Sequence, residues 1–520
     1  MESILVYDTT LRDGSQGEKI NFSAEDKLRI AHKLDALGIH YIEGGWPGSN
    51  PKDVHFFELA KEVPFNRARL AAFGSTRKPN SRAEEDENII ALLRSETPAV
   101  TIFGKSWDLH VKQVLATSLK ENLAMIHDTV AHLRSQGREV IYDAEHFFDG
   151  YKNNPSYATK TLQAAVSGGA DFIVLCDTNG GTLPFETEEI MNKICPQIPV
   201  RMGIHTHNDC GLAVANTLVA VRAGAVMVQG TVNGYGERCG NADLTSVIPN
   251  LQLKMKRSCM TKKNLGRLTE LSRYVSEVAN MTPFNGRPFV GKSAFAHKGG
   301  IHVNAIMKTP KAYEHMAPEA VGNERRVLIS DLCGKSNIDY KAREMGIELG
   351  GNGFDSGKIA KEIKRLEHEG YQFDAAEGSF ELLLKRLTGQ FRALFELESF
   401  RVAIEKEKHL PCRAYATIKI SVGDEQEITA AEGNGPVSAL DNALRKALNK
   451  FFLVDLEEMH LVDYKVRVIE GRDGTSARVK VFIESRDQKR LWSTIGVSTD
   501  IIEASWEALE DSFQYKLSHI

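Results

Sequence analysis

At 520 residues the chain exceeds what one hydrophobic core organises, so two or three domains are expected. A formal net charge of -4, 42% apolar residues and no long run of like charge give no electrostatic footprint for nucleic acid or an anionic membrane, and small-molecule partners are expected instead. There is no basic-plus-apolar leader and no apolar stretch of about eighteen residues, and the seven cysteines include no CxxC pair, so the expectation is a soluble chain in the reducing cytoplasm.

The first half of the chain alternates short β-rich runs with longer helical patterns. "ILVYD", "IHYIEGG", "RLAAFG", "AVTIFG", "EVIYDA", "DFIVLCD", "VRMGIHTH" and "VMVQGTV" read as the strands of an α/β fold, a (β/α)8 TIM barrel expected over residues 1–285. A doubly wound open sheet competes, but it would carry its glycine fingerprint after the first strand, where this chain reads "DTTLRDGSQG". Gly234, Gly236 and Gly240 in "NGYGERCGNADL" follow the last strand without GxGxxG spacing and read as a close-approach turn.

Residues 286–395 change texture. The loop-rich "MTPFNGRPFVGKSAFAHKGGIHVNA" leads into charged amphipathic stretches such as "GKIAKEIKRLEHEG" and "SFELLLKRL", a linker and helical subdomain. Residues 396–520 carry a weak internal repeat: "RAYATIKISVGDEQEITAAEGNGPVSALDNALRKAL" and "ARVKVFIESRDQKRLWSTIGVSTDIIEASWEAL" each read strand, strand, glycine-containing connection, helix. Two β-β-α units predict a small pseudo-symmetric α+β domain.

In a parallel barrel the C-terminal strand ends share one rim. Here those ends bring Asp8, Arg12 and Asp13, then Glu43, Asp143, Glu145, His146, Asp177 and Thr178, and finally His205 and His207. Histidines two apart on a strand project from one face, and imidazole is a common metal ligand. With Asp13 and Asn241 expected on the same rim they form a candidate metal site; the alternative is a polar seam in the core. Two nitrogens and one carboxylate leave open positions, as a catalytic Zn, Mn or Mg requires. Such a cation beside Arg12 suits an acceptor that chelates through adjacent oxygens, such as a 2-oxo acid, with Arg12 offsetting oxyanion charge. The bland readings are a salt bridge from Arg12 to Glu43 and a helix N-terminal acid at Glu145. Outside the barrel, His302 in "HKGGIHVNA" and Tyr313 in "KAYEH" are either ordinary loop residues or groups delivered to a site elsewhere.

"DTTLRDGSQG", "HTHND", "NGYGERCGNADL" and "GIHVNA", in that order, resemble the family of 2-isopropylmalate, homocitrate and citramalate synthases within the DRE-TIM metallolyase group. The resemblance covers essentially the whole chain, and "YDAEHFFDGYK" with "EGNGPVSALDNALRKAL" is most similar to the citramalate branch. It implies a Claisen-type condensation in which the enolate of acetyl-CoA attacks pyruvate and the thioester is then hydrolysed. It also implies Asp13, His205 and His207 as ligands of a divalent Zn, Mn or Mg, with Asn241 as an outer or fourth ligand. Arg12 would stabilise charge, Thr178 would hold the acceptor carboxylate with Asp143 beside the substrate, and Glu145 would act in acid/base chemistry. Asp143 departs from the aromatic or serine that related synthases carry there. His302 and Tyr313 would serve the acetyl-CoA half-site of a partner subunit in a domain-exchanged homodimer. The doubled tail would sense an amino acid, with isoleucine as inhibitor in isoleucine biosynthesis. The competing readings are a synthase for a longer 2-oxo acid, a carbon–carbon lyase, and a catalytically silent amino-acid sensor.

Overall fold

The computed structural model describes residues 3–349, 356–452, 456–469 and 477–519. All eight expected strands form: β1 (Leu5–Asp8), β2 (Tyr41–Gly45), β3 (Arg69–Ser75), β4 (Ala99–Lys105), β5 (Glu139–Glu145), β6 (Phe172–Asp177), β7 (Arg201–Thr206) and β8 (Met227–Gly230). They pair in parallel in chain order, and β8 closes on β1 with Leu5 opposite Met227 and Asp8 opposite Gly230. The period of two decides what fills the barrel. In β6, Phe172, Val174 and Cys176 cluster with Tyr7, Tyr41, Ile141 and Met227, while Ile173 and Leu175 belong to the larger core shared with the surrounding helices.

Those helices start and stop where local chemistry directs. Ala24–Leu37, for example, opens on a capping box between Ser23 and Asp26 and ends at Gly38, whose φ of 91° suits a residue without a Cβ. The chain divides into two compact units, Met1–Phe295 with Met316–Glu324, and Ala296–His315 with Arg325–Ile520.

The second unit opens with a short parallel pairing of β9 (Ala296–His297) with β10 (Arg326–Val327). Helices Gly300–Lys308, Lys335–Glu344, Ser356–His368 and Glu377–Leu387 follow, and Ile338, Ile359, Ile363, Phe380 and Leu384 form a small core among the last three. The tail then builds two antiparallel sheets: β11 (Glu396–Glu405), β12 (Arg413–Val422) and β13 (Glu425–Gly433), and β14 (His460–Val468), β15 (Val479–Arg486) and β16 (Leu491–Ser498). Helices Pro436–Leu448 and Ile501–Leu517 close the two repeats.

Each repeat is therefore β-β-β-α, one strand more than expected. The extra strands β11 and β14 are exposed or half-exposed along their length, with Phe400, Val402 and Ile404 in the first and Tyr464, Val466 and Val468 in the second alternating with polar or small residues. The internal symmetry reaches single bonds. Thr429 Oγ1 donates to Ala443 O at 2.7 Å in the first repeat, and Thr494 Oγ1 donates to Ala508 O at 2.6 Å in the second.

Candidate active site

One pocket of about 210 Å³ opens at the C-terminal rim of the barrel and is built from the first unit alone. Arg12, Asp13, Asp143, Glu145, Thr178, His205 and His207 all line it. Seven of the ten residues expected from sequence thus meet in one place. Asn241 lies directly behind them. His302 and Tyr313 belong to the second unit, where their rings stand 4.3 Å apart, with Tyr313 half-exposed and His302 exposed.

His205 is the penultimate residue of β7 and His207 follows two positions later, just past the strand, which turns both imidazoles to the same side. Their Nε2 atoms lie 3.3 Å apart, and Asp13 Oδ2 is 3.5 Å from His205 Nε2 and 3.9 Å from His207 Nε2. The three donors lie within 4.8 Å of one another and form the candidate cation site among the described residues. Asn241 Nδ2 donates to Asp13 Oδ1 at 3.0 Å, which orients the carboxylate, while the buried Asn241 Oδ1 and His207 Nδ1 have no hydrogen-bond partner in the structure. Gly236 makes this approach possible. Its φ is 149°, and a Cβ there would lie 2.2 Å from Asn241 Nδ2, so the glycines of "NGYGERCG" do form a close-approach turn.

Burial, reinforced by the neighbouring His207, depresses the His205 imidazole to about 4. Burial lowers His207 as well. Burial works the other way on Asp13, but the Arg12 guanidinium and the two imidazoles overcome it and hold the carboxyl at about 2. At neutral pH the site therefore presents two neutral imidazoles and one carboxylate, the donor set a divalent cation needs.

Arg12 is fixed from three sides. Its Nε donates to Glu43 Oε1 at 2.5 Å, Nη1 donates to Asp13 Oδ2 at 3.1 Å, and Cζ sits 3.7 Å over the Phe73 ring. The salt bridge to Glu43 and a place in the pocket are thus not alternatives; both hold. Glu145 ends β5 and is ion-paired to Lys105 at the end of β4. Thr178 Oγ1 accepts the backbone N–H of His146 at 2.9 Å, leaving its own hydroxyl hydrogen to donate. Asp143 is raised well above the usual carboxylate range by burial and then by Glu43.

Several residues in or behind the pocket lining escaped the sequence reading. Gln229, on β8, accepts from His205 Nδ1 at 2.9 Å and donates to Asp143 Oδ1 at 3.0 Å. A polar side chain within the apolar run "VMVQG" was the available signal. Trp46, Phe73 and Phe103 form an aromatic wall, with the two phenyl rings stacked at 5.3 Å and the indole edge-on to both. Arg238, paired with Asp209 at 2.8 Å, reaches the rim from the glycine turn.

Residues 3–275 match the HMGL-like family model. Over 99% of its length the chain is 55% identical to the (R)-citramalate synthase of Aquifex aeolicus, covering 98% of that protein, and equally 55% identical to that of Geobacter sulfurreducens, again covering 98%. The chain belongs to the (R)-citramalate synthase family. Similarity to the 2-isopropylmalate synthase of Methanocaldococcus jannaschii is weaker, 31% over 98% of this chain and 94% of that protein. Residues 374–517 match the LeuA allosteric (dimerisation) domain, and residues 289–370 match the homocitrate synthase post-HMGL domain-like model.

Proposed function

We propose that the chain condenses acetyl-CoA with pyruvate and that water then cleaves the resulting thioester, to give (R)-citramalate and CoA. The observation that carries this reading is the convergence of Asp13, His205 and His207 with Arg12 and Thr178 in one small pocket of a chain 55% identical to citramalate synthases. The donor set fits a divalent cation of the Zn, Mn or Mg kind. His205 gives its Nδ1 hydrogen to Gln229, so its Nε2 lone pair faces the Asp13 carboxylate, an arrangement a cation relieves. When bound, such an ion supplies Lewis-acid polarisation of the acceptor carbonyl.

The chain's own groups do the rest. Thr178 donates its hydroxyl to the acceptor carboxylate, which its bond from the His146 N–H leaves it free to do. Arg12 offsets the negative charge that develops on the acceptor carbonyl oxygen as the new carbon–carbon bond forms, and its three anchors mean that it does not reorganise at that moment. Asp143 lies beside the substrate through its bond to Gln229. Glu145 moves the protons of the reaction, with Lys105 fixing its position. Asn241 serves as the outer member of the metal set, holding Asp13.

His302 and Tyr313 serve the acetyl-CoA half-site of the partner subunit's barrel, in a domain-exchanged homodimer. Their paired and exposed rings, and the match to a dimerisation domain, support this. The tail binds isoleucine as a feedback inhibitor of isoleucine biosynthesis. Among the described residues no helix is long and apolar enough to cross a membrane, and the cytoplasm, as the proposed compartment, suits seven free thiols.

The test is release of free CoA from acetyl-CoA on adding pyruvate to the metal-loaded protein, with the product resolved on a chiral column. Formation of (R)-citramalate is the expected result. Isoleucine binding without any turnover would instead identify a silent sensor.

A further inference from the structure

Under the condensation reading, the polar side of the pocket takes the oxygens of the 2-oxo acid, which leaves its alkyl substituent facing the aromatic wall of Trp46, Phe73 and Phe103. Of these three, Trp46 is restrained in a way that packing alone does not require. Its Nε1–H donates to Asn88 Oδ1 at 2.6 Å, and Asn88 is itself tied by Nδ2 to Ser75 O at 2.8 Å. The backbone N–H of Trp46 donates to Asp53 Oδ2 at 2.8 Å, and Asp53 is ion-paired with buried Lys27.

The sequence makes room for this clamp. A Cβ on Gly48 would lie 2.7 Å from Asn88 Oδ1 and one on Gly74 would lie 2.9 Å from the same atom, so glycine at both positions lets Asn88 reach the indole. The indole then holds one orientation, at interplanar angles of 84° to Phe73 and 82° to Phe103. A freely rotating side chain yields to an extra methylene on the substrate; a side chain anchored at both ends does not.

We infer that Trp46, pinned by Asn88, is the residue that limits the acceptor's alkyl group to methyl. This rests on the condensation reading and adds to it a named determinant of acceptor size. Asn88 acts through Trp46 and is a positioning residue.

The experiment measures kcat/KM for pyruvate and for 2-oxobutyrate, one methylene longer, with saturating acetyl-CoA in the full-length protein, its Trp46→Leu variant and its Asn88→Ala variant. A methylene excluded by a tight pocket changes kcat/KM roughly 10- to 200-fold, so the ratio of 2-oxobutyrate to pyruvate is expected to rise about tenfold or more in Trp46→Leu. A smaller rise is expected in Asn88→Ala, which keeps the indole but frees it. The same ratio in all three proteins would overturn the inference, as would an increased KM for acetyl-CoA with an unchanged acceptor ratio, which would assign the wall to the acyl donor. If Trp46→Leu does not fold, Asn88→Ala decides. A parent protein that turns over neither acid would remove the condensation reading and this inference together, an outcome distinct from an unaltered ratio in an active enzyme.

Discussion

His205 and Gln229 are joined by a 2.9 Å hydrogen bond that has one direction only. Gln229 gives its amide nitrogen to Asp143 at 3.0 Å, so its amide oxygen faces His205 Nδ1 and must accept. The tautomer of His205 is thereby set, with Nε2 free as a ligand. Gln229→Leu is expected to keep the fold and to weaken metal binding by about 10- to 100-fold, the usual cost of losing a partner that orients a ligand. Titration of the metal-free protein with Zn or Mn measures this. Unchanged affinity would show that Gln229 has no role in holding the imidazole.

Asp13→Ala and His207→Ala are expected to abolish condensation and to lower bound metal, because each removes one of the three donors that cluster among the described residues. Both side chains are buried but line the pocket and stand outside the apolar core between barrel and helices, so the cooperative thermal transition should persist. Metal analysis with a melting curve separates loss of a ligand from loss of the fold. Full occupancy and activity in His207→Ala would remove the metal assignment.

The barrel was legible because eight short β-rich runs alternate with helical patterns, and Asp13, His205 and His207 were legible because histidines two apart on a strand share a face on the rim where the first strand's carboxylate also falls. Trp46 and Gln229 were not. "GGWPGSN" reads as a turn, and only the fold shows Asn88 reaching it from 42 positions away. Gln229 reads as a lone polar residue in a strand until Asp143, 86 positions away, is placed beside it. The edge strands β11 and β14 alternate, as "SFRVAIE" and "DYKVRV" show, but both lie upstream of the two stretches whose likeness marks the repeat and so fall outside it.

Mixing inactive Arg12→Ala protein with inactive His302→Ala protein, followed by brief partial denaturation and refolding, is expected to restore activity. If His302 serves the partner's barrel, each heterodimer has one site with both residues intact, which gives about one quarter of the parent activity at random reassociation of two-fold symmetric dimers. Heterodimers formed without any recovery would confine His302 to its own chain or to no catalytic role.

Isoleucine inhibition is expected to depend on the glycine-containing connections of the tail, where backbone amides at helix starts can receive a carboxylate. Gly435 precedes helix Pro436–Leu448, and a Cβ added there meets nothing within 4 Å. Gly435→Asp therefore places a tolerated helix cap and a repelling negative charge at that point. Turnover should be kept while the isoleucine response falls by several-fold to about a hundredfold, the range of an allosteric coupling of ~1–3 kcal/mol. An unaltered inhibition curve would locate the effector elsewhere.

The central claim is tested most directly by the ratio of kcat/KM for pyruvate to that for 2-oxoisovalerate, measured as CoA release by the same metal-loaded preparation. The branched acceptor adds two methyl groups to pyruvate's own, and each carbon that a tight pocket excludes is worth about 1–3 kcal/mol. A pocket of about 210 Å³ walled by Trp46, Phe73 and Phe103 predicts a preference for pyruvate of at least about thirtyfold. Comparable efficiencies, or a preference for 2-oxoisovalerate, would contradict citramalate synthesis and return the chain to the 2-isopropylmalate reading.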